Sequence, residues 1–541
     1  MKRTLFGFTL LFISTVVFSQ RVMPLLWETK LEHKIYFDGT GLEGEQSYAA
    51  SDKEITFIDN NTGKVIWSKT FNSIAPNLKK IDEIIPFWES DLLFLFERKL
   101  GKDQIACISM KDGKLMWTTD KYQDVGEFNV MYIHEVEGFT LSLKKEMVFI
   151  KAMTGEQVWS TSKFSGVIGK YVYMDDGYIV AVNMKPTIIA SLFAGFKNQI
   201  AKINLLNGDI VWETPYIGLA ERKVLTREIL FDLEVKNGQV MLNLNGYQVY
   251  DYNTGQKLWT AAYDFSPSGI VSQPLDAQLF GVYGGIAQPL VIGDDLYVVD
   301  MSNRRNQYIK KYNFKTGELL WTSPEIKEAK AIPALYVMGD KVILQIGGIV
   351  EVQSKVKKSD GTIVYKIEHK NVKPNGVQAF STSDGKLVWD SERFRKGITN
   401  MIDAGNSLFV SSGKALYSID VNTGNPNFEV PAAKGGVGDA TYIMPYKDMI
   451  AVVGEKGIST FKMNDGAFVA NGKYENSFFE DSFDNIVIMK TDGADIAAFD
   501  LNTCQYLEFK ARKGSDTILT NDGKYVYVYE KNVVSKLKTL N

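Results

Sequence analysis

The sequence predicts an all-β fold, a β-propeller of four-stranded antiparallel blades. Three observations carry that expectation: a hairpin motif that recurs ten times, a tryptophan at one fixed place in seven of the copies, and two further apolar runs in most of the intervals between them. The motif is a polar residue and Gly, three residues, then Trp. Complete copies run Thr62-Gly63 to Trp67, Asp112-Gly113 to Trp117, Thr154-Gly155 to Trp159, Asn207-Gly208 to Trp212, Thr254-Gly255 to Trp259, Thr316-Gly317 to Trp321 and Asp384-Gly385 to Trp389. Altered copies follow at Thr423-Gly424 to Phe428, Asp465-Gly466 to Ala470 and Thr503-Cys504 to Glu508.

Aligned on the Gly, the copies share more than the turn. Eight positions earlier the residue is always apolar, from Ile55 and Ile105 to Ile458 and Ile496. Five positions earlier it is apolar or aromatic, from Ile58 to Phe499, and Thr, Asp or Asn always precedes the Gly. Short β-rich runs ended by turn formers read as a strand entering a tight turn. Gly at a constant place suits a left-handed backbone, which strains other residues. The residues up to Trp then form the return strand, so each unit contains a hairpin. Apolar runs such as 84–88 with 92–97 supply two more strands.

A lone four-stranded sheet cannot bury both faces, so neighbouring blades must supply the missing contacts. Trp67, Trp117, Trp159, Trp212, Trp259, Trp321 and Trp389 are therefore assigned to inter-blade packing, each ring able to bury roughly 150–250 Å². Leu25-Leu26-Trp27-Glu28-Thr29 reads as an outer return strand without its hairpin, and the C-terminal segment supplies strands at 517–519, 525–529 and 533–540 without a return strand. Joining them makes a closure blade from both termini and removes exposed edges. Ten motifs plus this blade give eleven units, more than the about four to eight of ordinary propellers. One large ring and two rings sharing the chain both fit that count, with a single continuous body expected over residues 21–541.

Residues 1–20 read as a secretory signal peptide: Met1-Lys2-Arg3, an apolar run from Leu5 to Phe18, then Ser19-Gln20. An exported protein, periplasmic or extracellular in a bacterium, is expected. No Cys lies near the cleavage point to carry a lipid, and no later apolar run reaches the about 18 residues of a spanning helix. The 61 basic and 64 acidic residues are dispersed, with no clustered basic face for nucleic acid. Cys107 and Cys504 fall in separate units and are expected to be unpaired. His33, His134 and His369 show no metal-ligand spacing, and Gly284-Gly285 and Gly435-Gly436 lack the strand-to-helix setting of a phosphate loop. No catalytic residue, cofactor site or metal site is expected.

The phrases Asp59-Asn-Asn-Thr-Gly-Lys-Val-Ile-Trp67, Asp251-Tyr-Asn-Thr-Gly-Gln-Lys-Leu-Trp259 and Asp420-Val-Asn-Thr-Gly424 resemble the repeats of pyrroloquinoline-quinone-type (PQQ-like) β-propellers. The resemblance implies that each repeated Trp docks on the next blade. It also implies one of two functions: quinoprotein dehydrogenase, or non-catalytic scaffold such as the propeller subunit of the outer-membrane-protein assembly machinery. The dehydrogenases hold their quinone with an adjacent Cys-Cys ring, which this chain lacks. The scaffold branch is therefore the expected one, with another envelope protein, in outer-membrane-protein assembly or export, as partner. The absent lipid-anchor Cys is a departure from the assembly subunit. A small-ligand or glycan binder using the central channel is the alternative.

Departures from the repeat mark where a partner would bind, because insertions into a propeller map to its loops. Three inserts are expected, at about 184–198, 264–289 and 348–376; the last alternates like an extra hairpin around Asp360-Gly361. The partner-contact residues expected from them are Ile188, Ile189, Leu192, Phe193, Phe196, Leu279, Phe280 and Tyr283.

Overall fold

A computed structural model of the chain describes residues 21–540, except 42–44, 100–101, 124, 126–128, 144–145, 165, 185–197, 218–220, 223–228, 231, 245, 262–276, 303–305, 328, 358–362, 392–393, 476, 492–493 and 513. It is a propeller of eleven blades. Blades 1 to 10 span residues 37–70, 83–119, 130–161, 167–215, 232–260, 290–322, 334–390, 402–431, 440–473 and 477–509. Each holds four antiparallel strands in sequence order from the axis outward, and blade 7 pairs with one extra strand. Blade 11 takes three strands from 516–538 and its outermost strand, Leu25–Lys30, from the N-terminal end.

The repeated hairpin shows why the motif needs its residue types. Asp59 Oδ1 accepts hydrogen bonds from the Asn61 and Thr62 amides and the Thr62 hydroxyl, at 3.1, 2.7 and 2.7 Å. Asp251 and Asp420 repeat that cage with Asn253-Thr254 and Asn422-Thr423. A side chain that copies a backbone turn in this way closes the loop locally. The Gly that follows has φ near +70°, from +62° at Gly113 to +76° at Gly208, and a bulge on the return strand then swings Trp onto the next blade.

Docking is the same at eight successive joints. A Cβ added to Gly63 would lie 2.7 Å from the Trp27 ring, and one on Gly255 2.5 Å from the Trp212 ring. Gly113, Gly155, Gly208, Gly317, Gly385 and Gly424 likewise lie under Trp67, Trp117, Trp159, Trp259, Trp321 and Trp389. The indole N–H then donates to a backbone carbonyl in the same turn: Trp117 to Ala152 at 2.7 Å, Trp212 to Tyr252 at 2.8 Å, Trp389 to Val421 at 2.8 Å. The buried Trp259 Nε1 finds no hydrogen-bond partner among the described residues. At the ninth joint Phe428 covers Gly466; at the tenth the pair becomes Ala470 and Cys504, whose φ is +51°. Where the large ring goes, the requirement for Gly goes with it.

Eleven buried apolar clusters join consecutive blades, one per interface. Ile85, Phe94 and Phe96 of blade 2 pack with Phe139 and Leu141 of blade 3; Val180 and Val182 of blade 4 pack with Val240 and Leu242 of blade 5. The last two clusters tie blade 10 to blade 11 through Ile488, Ala498, Val526 and Val528, and blade 11 to blade 1 through Tyr529, Val534, Ala49 and Ile58. Every blade thus has two sequence neighbours as its spatial neighbours, and the eleven form one ring rather than two. The seam also carries a buried polar network: Thr40 Oγ1 meets Ser47 Oγ at 3.1 Å and the Tyr529 hydroxyl at 2.5 Å, and Ser47 donates to Asn60 Oδ1 at 2.5 Å.

Candidate interaction face

Strand order divides the ring into two unlike faces. The turns from first to second strand and from third to fourth strand emerge on one face, and none exceeds five residues. The Thr382 amide donates to the Asp340 carbonyl, bridging the two kinds of turn on that side. Connections from second to third strand, and from blade to blade, emerge on the opposite face. The Phe71 amide donates to the Lys53 carbonyl there, again joining the two kinds. All long excursions from the repeat therefore leave the blades on this second face.

They also fall in one sector. The three longest connections are 185–198 in blade 4, 216–231 between blades 4 and 5, and 261–289 between blades 5 and 6. Blade 7 adds strands of 17 and 19 residues, Lys341–Lys357 and Ile363–Ser381, which continue past the blade as a paired extension. At the base of that extension Gly347 has φ +74°, and a Cβ there would come 2.0 Å from the Pro374 carbonyl oxygen, so the bulge at 346–348 demands glycine. Ala277–Tyr283 pairs antiparallel with the far half of 341–357, and Val282, Val350, Val352 and Val372 bury against Ala331. The stretch 350–373 carries six lysines (355, 357, 358, 366, 370, 373) against Glu351, Asp360 and Glu368, in a chain of net charge −3.

Of the expected contact residues, Ile188, Ile189, Leu192, Phe193 and Phe196 lie outside the described residues; the strands that flank them end at Met184 and begin at Gln199 on this face. Leu279, Phe280 and Tyr283 were expected in an inserted loop at 264–289. They lie instead on the strand Ala277–Tyr283, because the segment finds a partner in the extended strand of blade 7, an insert 70 residues downstream that sequence spacing cannot pair with it. The connection 216–231, with its short pair Glu221–Arg222 and Ile229–Leu230, was not singled out by the sequence because it lengthens the motif spacing little.

Elsewhere, polar side chains among the described residues close turns and joints. The Asp59, Asp251 and Asp420 carboxyls are held below the usual carboxylate range by hydrogen bonds from Thr62, Thr254 and Thr423. His33 Nε2 meets Thr56 Oγ1 at 2.9 Å. Cys107 and Cys504 are buried and unpaired, and burial pushes the Cys107 thiol up. Among the described residues no three His, Cys, Asp or Glu gather as a metal site, and no helix is long and apolar enough to cross a membrane. The inner-strand aromatics make ring contacts across joints: Phe87 meets Phe139 at 4.6 Å with tilted planes, and Tyr442 stacks on Phe479 at 4.5 Å.

One feature of the joints escaped the motif. On the third strand, the residue opposite Trp is lysine in blades 4, 6 and 11. Lys536 Nζ donates to the Asn60 carbonyl at 3.0 Å, the same oxygen that accepts from Trp27 at 3.1 Å, and lies 4.1 Å from the Tyr525 ring centroid. Lys311 shares the Thr382 carbonyl with Trp321 in the same way, and Lys202 sits 3.7 Å from the Tyr252 ring centroid. Carbonyls and tyrosine faces, with the Asp295 carboxylate 2.7 Å from Lys311 Nζ, offset the cost of withdrawing these ammonium groups from water. Lysine in an otherwise apolar slot was the available signal.

Residues 51–215 match the family model for outer membrane protein assembly factor BamB, from the end of the second strand of blade 1 to the end of blade 4. No curated protein matches the chain. Solved structures that resemble it include the computationally designed Ika8 protein, at 14% identity over 71% of this chain and 100% of that one with a TM-score of 0.34. BamB from Moraxella catarrhalis is another, at 12% identity over 80% of this chain and 96% of that one with a TM-score of 0.29. The chain is an eleven-bladed β-propeller whose residues 51–215 resemble the PQQ-like outer membrane protein assembly factor BamB.

Proposed function

We propose that this protein is a non-enzymatic scaffold of the bacterial envelope, which holds another protein through the long connections over blades 4 to 7. One observation carries the reading: the chain departs from the repeat four times between blades 4 and 7, and the strands flanking all four departures open onto one face while the other keeps only short turns. Insertions on a rigid ring are where recognition is carried. The lysine-rich extension suits a partner with an acidic surface there, since complementary charge steers association and fixes register. The resemblance of residues 51–215 to BamB supports a partner in outer-membrane-protein assembly or export, and the apolar run from Leu5 to Phe18 supports a periplasmic location.

Affinity purification of the tagged protein from cross-linked native envelopes, followed by mass spectrometry, tests the reading. A companion is expected whose yield collapses in Leu192→Asp/Phe193→Asp while the melting temperature stays within a degree or two. Recovery of the protein alone refutes the scaffold; equal loss of folding and capture assigns the two residues to the core.

A further inference from the structure

One three-stranded sheet stands beyond the blades: Ala277–Tyr283, the far half of Lys341–Lys357 and the near half of Ile363–Ser381. Its two outer edges are chemically unlike. Residues 363–370 include Lys366, Glu368, His369 and Lys370, with Lys370 Nζ 3.5 Å from Glu368 Oε2. Charges of this kind, lysine above all, keep an edge from pairing with another chain. The opposite edge reads Ala-Gln-Leu-Phe-Gly-Val-Tyr, with no charged residue and no proline. Among the described residues it pairs with no strand other than 341–357, and a bulge between Leu279 and Gly281 is its one interruption.

We propose that the edge of Ala277–Tyr283 accepts an extended, uncharged segment of another protein as a fourth strand of this sheet. The inference rests on the scaffold reading and names what the partner supplies, which is main chain first and side chains second. Along an antiparallel edge about every second residue turns its amide and carbonyl outward, and another extended backbone meets that row in register, as in other strand-addition complexes. A helix offers no free main-chain groups to it, and a lipid surface offers none at all. The acceptor is also anchored at Val282. Val282 is 3% exposed, and Val350 and Val352 on the paired strand are 0% and 1% exposed. An edge fixed before binding spares most of the ordering cost of association.

The probe is a fluorescent peptide of four Val-Thr repeats with a lysine at each end, added to the intact protein. Saturable binding by anisotropy is expected, with hydrogen exchange slowed at least tenfold at alternate amides of 277–283. N-methylation of every peptide amide, which keeps each side chain, should weaken binding at least tenfold. Gln278→Lys, a guard placed on the open edge, should weaken it at least fivefold at unchanged melting temperature. Equal binding of the N-methylated peptide overturns the proposal, as do outward amides that already exchange slowly in the free protein. Loss of peptide binding alongside intact partner capture sinks strand addition and leaves the scaffold; peptide binding with no partner in the envelope does the reverse.

Discussion

Replacing Gly255 by alanine tests the joint that the whole ring repeats. Two costs should add. The residue sits at φ +68°, where a Cβ costs about 1–2 kcal/mol. That Cβ would also stand 2.5 Å from Cδ2 and Cε3 of Trp212, an overpacking worth about 1–3 kcal/mol. Gly255→Ala should therefore lose about 2–5 kcal/mol. Gly405 is the control: its φ is +73° and nothing lies within 4 Å of an added Cβ, so Gly405→Ala should show the backbone cost alone, about 1–2 kcal/mol. Trp212→Ala costs about 3–5 kcal/mol by itself, yet it removes the ring that the added methyl of Gly255→Ala would strike. Urea denaturation of the double variant should then show a coupling of about 1–3 kcal/mol between the two sites. Additivity within about 0.5 kcal/mol, or equal losses for Gly255→Ala and Gly405→Ala, would refute the claim that glycine is there for the indole.

Three further outcomes follow from the seam between blades 11 and 1. Burial, and Asp516 on the neighbouring inner strand, push the Asp38 carboxyl up to about 7. Unfolded it ionises near 4, so stability should fall as pH rises from about 4 to about 7 and level off above. Asp38→Asn should remove that slope and raise stability at pH 8 by about 2 kcal/mol, the ~4 kcal/mol of the full shift being discounted for partial exposure; an unchanged slope in melts at pH 5 and 8 would count against it. Lys536→Met should cost about 1–3 kcal/mol, because a charged donor to the Asn60 carbonyl and two tyrosine faces lose their cation; a stabilised variant in urea denaturation would show the burial penalty to be the larger effect. Deleting residues 21–30 removes the outermost strand of blade 11 and bares the edge of Val533–Lys538. Light scattering should then report association, reversed by the missing segment supplied as a peptide, and a monomeric, equally stable deletion would contradict the role given to that strand.

The ring was legible because its instructions are local and repeated. A Thr-Gly pair, an indole four residues on and two apolar runs lie within about 45 residues, and the Leu25–Thr29 fragment betrays closure by lacking its own hairpin. The eleven units and the single continuous body were legible in the same way, while one ring and two rings sharing the chain fitted the count alike, because both circuits use identical joints. Face and sector were hidden for another reason. Whether 185–198 and 348–376 share a face depends on which end of a strand each leaves, and that requires the topology of blades 4 and 7. The pairing of Ala277–Tyr283 with residues near 353 is a contact between two inserts, and neither repeats anything against which it could be aligned. The lysines at 202, 311 and 536 broke an apolar pattern and could have been noticed.

The closure strand also changes how the molecule comes apart. Stacked repeats that contact only their neighbours behave as a one-dimensional chain, and such chains fray from their terminal units. Here Leu25 pairs with Leu537, so the chain of joints has no terminal unit. Releasing any one blade means breaking two interfaces at once, which turns eleven modest couplings into a collective barrier. Tying the first strand to the last costs only logarithmically more as the loop lengthens, so a wide wheel gains this protection almost as cheaply as a narrow one.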